Sequence, residues 1–124
     1  MRIQIESPDF SLTPAMRAFM ERRLRYHLTR CDDRIGLVEV HLCDVNGARG
    51  GVDKRCRIRA HLHGSTDVII EDTESDLYFA MNRAAARAGR TAARRLARRL
   101  APRRRKYIGL DAPNTRRAQS YDGR

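Results

Sequence analysis

The residues with the clearest chemical meaning lie in one run, Arg83 to Lys106, where 24 positions hold ten arginines, one lysine and no acid. Before that run the chain carries 12 basic and 13 acidic residues, and after it three and two, so the formal charge of +11 is concentrated in one place. A diffuse excess mainly serves solubility. A concentrated strip grips a phosphate-rich polymer by releasing the counterions condensed on it. Only two of the 26 basic residues are lysine, so position carries more information here than arginine's identity. Arg95, Arg98, Arg99, Arg103, Arg104, Arg105 and Lys106 read as phosphate contacts, which give affinity more than sequence preference.

Two other constellations have weaker claims. Arg55, Arg57, Arg59, His61 and His63 alternate with apolar residues, so they share one outer face of a strand. That face is either a second RNA surface or a solvated one, and it lacks the paired aromatics on which sheet-based RNA binders stack bases. Pairing register places Glu39 near Arg59, as a modest surface ion pair. His61 and His63, with His41 and Cys43 on the neighbouring strand, offer zinc-ligand types, but the spacing is not a standard signature and nearby arginines oppose a cation. No nucleophile elbow, P-loop, dinucleotide fingerprint or H-E-x-x-H is present, so a non-enzyme is expected.

The elements that must carry these residues follow from periodicity. Ile3 and Ile5 alternate with polar neighbours as a short strand. Thr13 and Pro14 start a helix expected to reach about Arg30, with Met16, Phe19, Met20, Leu24 and Leu28 on its apolar side and Arg23 inside that stripe, where it must snorkel or find a partner. From Ile35 the period becomes two, with Val38, Val40 and Leu42 on one face, and Cys56, Ile58, Ala60 and Leu62 repeat the pattern in an antiparallel hairpin. Gly64 and Ser65 turn the chain into a fourth strand around Asp67 to Glu71. Glu71, Asp72, Glu74 and Asp76 then precede a second helix, where they suit its positive end.

That helix should run from about Ser75 to Ala101, with Pro102 stopping it. At about 100° per residue, Leu77, Met81, Ala84, Ala85, Ala88, Ala92 and Leu96 form one face, while Arg83, Arg87, Arg90, Arg94 and Arg98 form a rail opposite. Arg95 and Arg99 interrupt the apolar side, so the last turns should protrude. Four central alanines predict a close approach of helix to sheet. Tyr78 reads as a residue at the core's edge rather than an RNA contact. Four strands with one apolar face and two helices to cover it make a two-layer β-α-β-β-β-α sandwich of the α+β class, spanning residues 1–101. Residues 102–124 read as a basic, disordered tail.

A chain of 124 residues is one domain's worth. Three cysteines, an odd number without C-x-x-C spacing, point to free thiols in a reducing cytoplasm. The first residues lack a secretion signal, and no run of 18 apolar residues offers a membrane span.

Element order and particular residues together resemble the short, stand-alone type of the ribosome hibernation promoting factor and ribosome-associated inhibitor family. Leu12-Thr13-Pro14-Ala15-Met16-Arg17, with Phe19, Arg23 and Leu24, is similar to that family's first-helix entry. Asp33-Arg34-Ile35 looks like its lead into the second strand, and Asp76-Leu77-Tyr78-x-Ala80-Met81 like the opening of its second helix. Arg87, Arg90 and Arg94 fall where members carry lysine or arginine. The resemblance covers roughly residues 1 to 100. Departures are the alanine-rich second helix, Gly89 within it, and about one extra residue between Leu24 and Asp33. The dimerisation domain of long members has no counterpart here, so self-driven pairing of ribosomes is not expected, and the protein itself is expected to be a monomer.

The resemblance implies a translation inhibitor that docks in the small ribosomal subunit's decoding channel and excludes messenger and transfer RNA. Its grip on ribosomal RNA would come from the basic helix faces, Arg17 and Arg23 in the first helix and the strip from Arg83 to Lys106 in the second. It implies no cofactor and no small-molecule substrate. The alternative is a general RNA or DNA chaperone without a defined ribosomal site. A membrane-surface role is the weakest reading, since Arg94 to Lys106 offers only Leu96 and Leu100 as large apolar residues before Pro102.

Overall fold

The computed structural model describes residues 1–45 and 53–100, the last two by backbone alone. The alternating isoleucines form strand β1 (Arg2–Glu6). Thr13 caps helix α1 (Pro14–Leu28), its hydroxyl accepting from the Met16 amide at 3.1 Å, with Pro14 in the first turn. The helix stops at Leu28, short of the expected Arg30, because a 3-10 helix over Thr29–Arg34 tightens the chain into β2 (Ile35–Asp44). Strands β3 (Lys54–Leu62) and β4 (Val68–Glu74) follow, then helix α2 (Leu77–Leu100). Gly64, at φ 76°, makes the turn between β3 and β4.

The order is the expected β-α-β-β-β-α, and the sheet is mixed. β1 runs parallel to β2, while β2–β3 and β3–β4 are antiparallel, in the order β1-β2-β3-β4. Both helices cover one sheet face. Between the layers Val38, Val40, Leu42, Ile58, Ala60 and Val68 meet Met20, Leu24, Leu28 and Met81, all fully buried. Cys56 is buried among them and Cys31 nearby, all three thiols are free, and burial pushes the Cys31 and Cys56 thiols up, so both pack as small protonated hydrophobes.

The alanine patch does what its spacing predicts. Ala84, Ala85, Ala88 and Ala92 are completely buried against the sheet. Gly89 has a separate cause: a Cβ there would lie 2.4 Å from the main-chain oxygen of His27. The helices run in the same direction and touch backbone to backbone at that point, which only glycine permits. The roughly 1 kcal/mol that glycine costs in a helix interior is offset by this contact.

Three expectations change. β4 extends to Glu74, so Glu71, Asp72 and Glu74 are strand residues and only Asp76 serves the start of α2, accepting from the Tyr78 amide at 3.3 Å. Arg95 does not protrude: its Nη1 donates to the carbonyls of Thr66 and Asp67, at 3.4 and 2.6 Å, and to the Thr66 hydroxyl at 3.0 Å. It ties α2 to the β3–β4 turn, with Leu96 still buried beside it. Glu39 does stand opposite Arg59 in register, yet Glu39 pairs with His61 at 2.9 Å and Arg59 with Asp67 at 2.9 Å. The helix stop at Pro102, the tail and the loop over residues 46–52 lie outside the described residues.

Candidate nucleic-acid interface

The rail on α2 is not uniform. Along β4 the alternation that turns Val68 and Ile70 inward also turns Asp72 inward, where it is 9% exposed. There it meets the sheet-side edge of the rail. Arg83 lies 3.6 Å from Asp72 and 3.4 Å from Glu74. Arg87 donates to Asp72 at 3.2 Å and to the Glu71 carbonyl at 2.8 Å. One nearly buried carboxylate thus holds two rail arginines, which are partly neutralised and fixed in direction.

Arg23 is also committed within the fold. Its Nε donates to Asn82 Oδ1 at 2.8 Å, its Nη2 lies 3.1 Å from His27 Nε2, and its guanidinium stands 4.9 Å over the Tyr26 ring. The partner demanded by its place in the apolar stripe is therefore the neighbouring helix. His27 is held below its ordinary pKa, first by burial, then by Arg23 and Arg90, with Asn82 opposing. A neutral ring lets Nε2 accept from Arg23.

What remains forms the outward side of the helix pair. Arg90 is exposed, with no ion-pair partner among the described residues, and Arg17 is exposed with only a loose 3.9 Å contact to Glu21. Arg94 and Arg98 continue the stripe half-buried. Arg22 and Arg25 on α1, not singled out in the sequence, are exposed beside them. Their signal was available, since they stand opposite the Met16, Met20, Leu24, Leu28 stripe by helical angle. Arg99, Arg103, Arg104, Arg105 and Lys106 fall where no side chain is described.

The sheet's other face is electrostatically different. Glu6 meets His41 at 2.8 Å, Glu39 and Asp67 flank His61 at 2.9 and 3.3 Å, and Arg57 faces Glu71 at 3.9 Å. His41 stands opposite Arg57 and Cys43 opposite Arg55, while His63 lies against Gly36. The four zinc-ligand types are thus held apart, and the described residues contain no group that could hold a metal ion.

Fold and charge together define a small α+β domain with a basic helix layer over a sheet whose outer face mixes acids and bases. Residues 3–101 match the family described as Sigma 54 modulation protein / S30EA ribosomal protein, and the chain belongs to that family, whose ribosome-associated members are not enzymes. Among solved structures it is similar to a ribosomal subunit interface protein from Coxiella burnetii, with TM-score 0.68 and 18% identity over 78% of this chain and 99% of that one. It is also similar to the N-terminal domain of Protein Y from Thermus thermophilus, with TM-score 0.59 and 28% identity over 72% of this chain and 92% of that one. No curated protein matches the sequence directly. Among the described residues no helix is long and apolar enough to cross a membrane.

Proposed function

We propose that this protein is a cytoplasmic translation inhibitor that binds small-subunit ribosomal RNA in the decoding channel and sterically excludes messenger and transfer RNA. Family membership and the similarity to Protein Y support a ribosomal partner. The observation that carries the mode of binding is the unbalanced outward side of the helix pair, where Arg22, Arg25 and Arg90 stand exposed without a carboxylate partner among the described residues. Arg17, Arg94 and Arg98 extend that surface, and the sequence adds further charge after it, from Arg99 to Lys106. Arg83 and Arg87 contribute from its edge, where Asp72 partly neutralises them. Arg23 and Arg95 act by holding the surface together.

The test is co-sedimentation of the full chain with ribosomes of its own source at low and moderate salt, with deacylated transfer RNA as competitor. Stoichiometric migration with the small subunit, lost as transfer RNA is added, is the expected outcome. Replacing Arg22, Arg25 and Arg90 together by glutamine should weaken binding about tenfold or more and flatten its salt dependence by about two to three counterions. Tight binding to arbitrary RNA duplex, without saturable ribosome binding, would make the protein a general RNA chaperone.

A further inference from the structure

We infer that the helix face also captures unpaired bases, with the rings of Tyr26 and Phe79 as two stacking platforms, so that its ligand is RNA with unstacked nucleotides rather than a smooth duplex. The inference rests on the RNA-binding reading above and refines it. Tyr26 is 69% exposed near the end of α1, and Phe79 is 48% exposed in the first turn of α2. Both belong to the layer that carries the uncompensated arginines.

Each ring is prepared on one side. The Arg23 guanidinium covers one face of Tyr26 at 4.9 Å, and Arg83 stands 5.7 Å over Phe79. Neither cation is free to swing away, because Arg23 is tied to Asn82 at 2.8 Å and Arg83 to Glu74 at 3.4 Å. The Tyr26 ring is further steadied edge-to-face against His27, with centroids 5.0 Å apart. A base on the open face of either ring would complete a guanidinium, ring and base stack, the arrangement by which single-stranded nucleic acid is held without reading its sequence.

The spacing sets the kind of RNA. Phe19 packs on Tyr78, so Phe79 stands level with Phe19 along the parallel helices, and Tyr26 follows Phe19 by seven positions. At 1.5 Å per residue the two rings are about 10 Å apart along the axes. Duplex bases are about 3.4 Å apart and covered on both sides. Only a strand with its bases splayed can place one on each ring, and Arg90 and Arg22 supply charge for its phosphates.

The probes are a short uridine oligonucleotide and the same strand with abasic sites, equal in phosphate number, titrated against the full chain. Wild-type protein should prefer the base-bearing strand. Replacing both Tyr26→Leu and Phe79→Leu should cost that strand about tenfold or more, leave abasic binding unchanged and keep the salt slope, since no phosphate contact is lost. The chain has no tryptophan, so Tyr26→Trp is a single fluorescent reporter whose emission should be quenched by the base-bearing strand and not by the abasic one. Equal wild-type affinity for the two strands, an unaltered double variant, or an unquenched Trp reporter would overturn the inference. Failure of the ribosomal reading shows separately, as absence of ribosome co-sedimentation in a protein that still discriminates the two strands.

Discussion

The two outer faces of this molecule are both rich in arginine, yet they dispose of the charge in opposite ways. On the sheet, neighbouring strands and the β3–β4 turn place a base beside an acid: Glu6 with His41, Glu39 with His61, Asp67 with Arg59 and Glu71 with Arg57. On the helix layer Glu21 is the sole acid of α1, and α2 has none, so arginines stand beside arginines. The sheet pairs are mostly exposed and each contributes little to stability, yet together they set four acids among the arginines and histidines of that face. The helix layer keeps its field for a partner. Between them lies Asp72, whose strand belongs to the sheet while its carboxylate neutralises the near edge of the rail. Arginine content alone therefore says little about binding; what decides is whether the fold supplies an acid within reach.

The comparison depends on the helices staying together, and the largest expected effect comes from prising them apart. Gly89→Ala would drive a methyl group to 2.4 Å from the His27 carbonyl oxygen, a backbone group that cannot step aside. About 2–3 kcal/mol of stability should be lost, read as a fall of about ten degrees or more in the unfolding midpoint. Ribosome binding should fall with it, because Arg23, Asn82 and Tyr26 share that seam. Asp72→Asn comes next. It leaves Arg83 and Arg87 with a weaker acceptor and should cost about 1–2 kcal/mol. RNA affinity should hold or rise, since two guanidinium groups lose a competing anion. A drop in both would mean that Asp72 orients the two arginines for RNA.

How much of this was legible in the sequence depended on whether a residue's role is set locally. Period and caps sufficed for the element order, for Thr13 at the start of α1 and for the alternating core of β2 and β3. The helix face of Arg90 was equally plain from angle alone. Four acids ahead of a helix resemble a favourable charge at its end, whereas one further step of the β4 alternation assigns Asp72 to the inner face. The angle of Arg95 gives no hint of the Thr66 and Asp67 carbonyls, which only the tertiary fold brings near. Gly89 was visible as an anomaly, and its reason lies in a contact 62 residues distant in the chain.

A smaller effect is expected from pH. The folded state holds His27 below its ordinary pKa of 6.5, through burial first and the nearby Arg23 second. As pH falls through that ordinary value the unfolded chain takes up a proton more readily than the folded one, so stability should decline toward acid and recover above about pH 7. His27→Gln should remove this part of the slope between about pH 8 and 5.5, read from unfolding midpoints at each pH. It bears on the contrast of faces, because it shows that the helix seam resists further positive charge.

The smallest effect is the most discriminating. Arg57→Gln together with Arg59→Gln removes two positive charges from the sheet face; their partner Glu71 is exposed, and the half-buried Asp67 keeps His61 beside it at 3.3 Å. Exposed pairs of this kind are worth under about 1 kcal/mol each, so the midpoint should move by a few degrees at most. If net charge alone governed binding, removing two arginines here would weaken ribosome association as much as removing two from Arg22, Arg25 and Arg90. If local imbalance governs it, affinity should stay within about twofold and the salt slope should not change, because no counterion-releasing contact is lost. A loss per charge equal to that of the helix variants would make the sheet part of the interface and end the distinction between the faces. An unchanged slope would leave the field of the helix layer as the property that the fold, through its choice of where to place acids, has preserved.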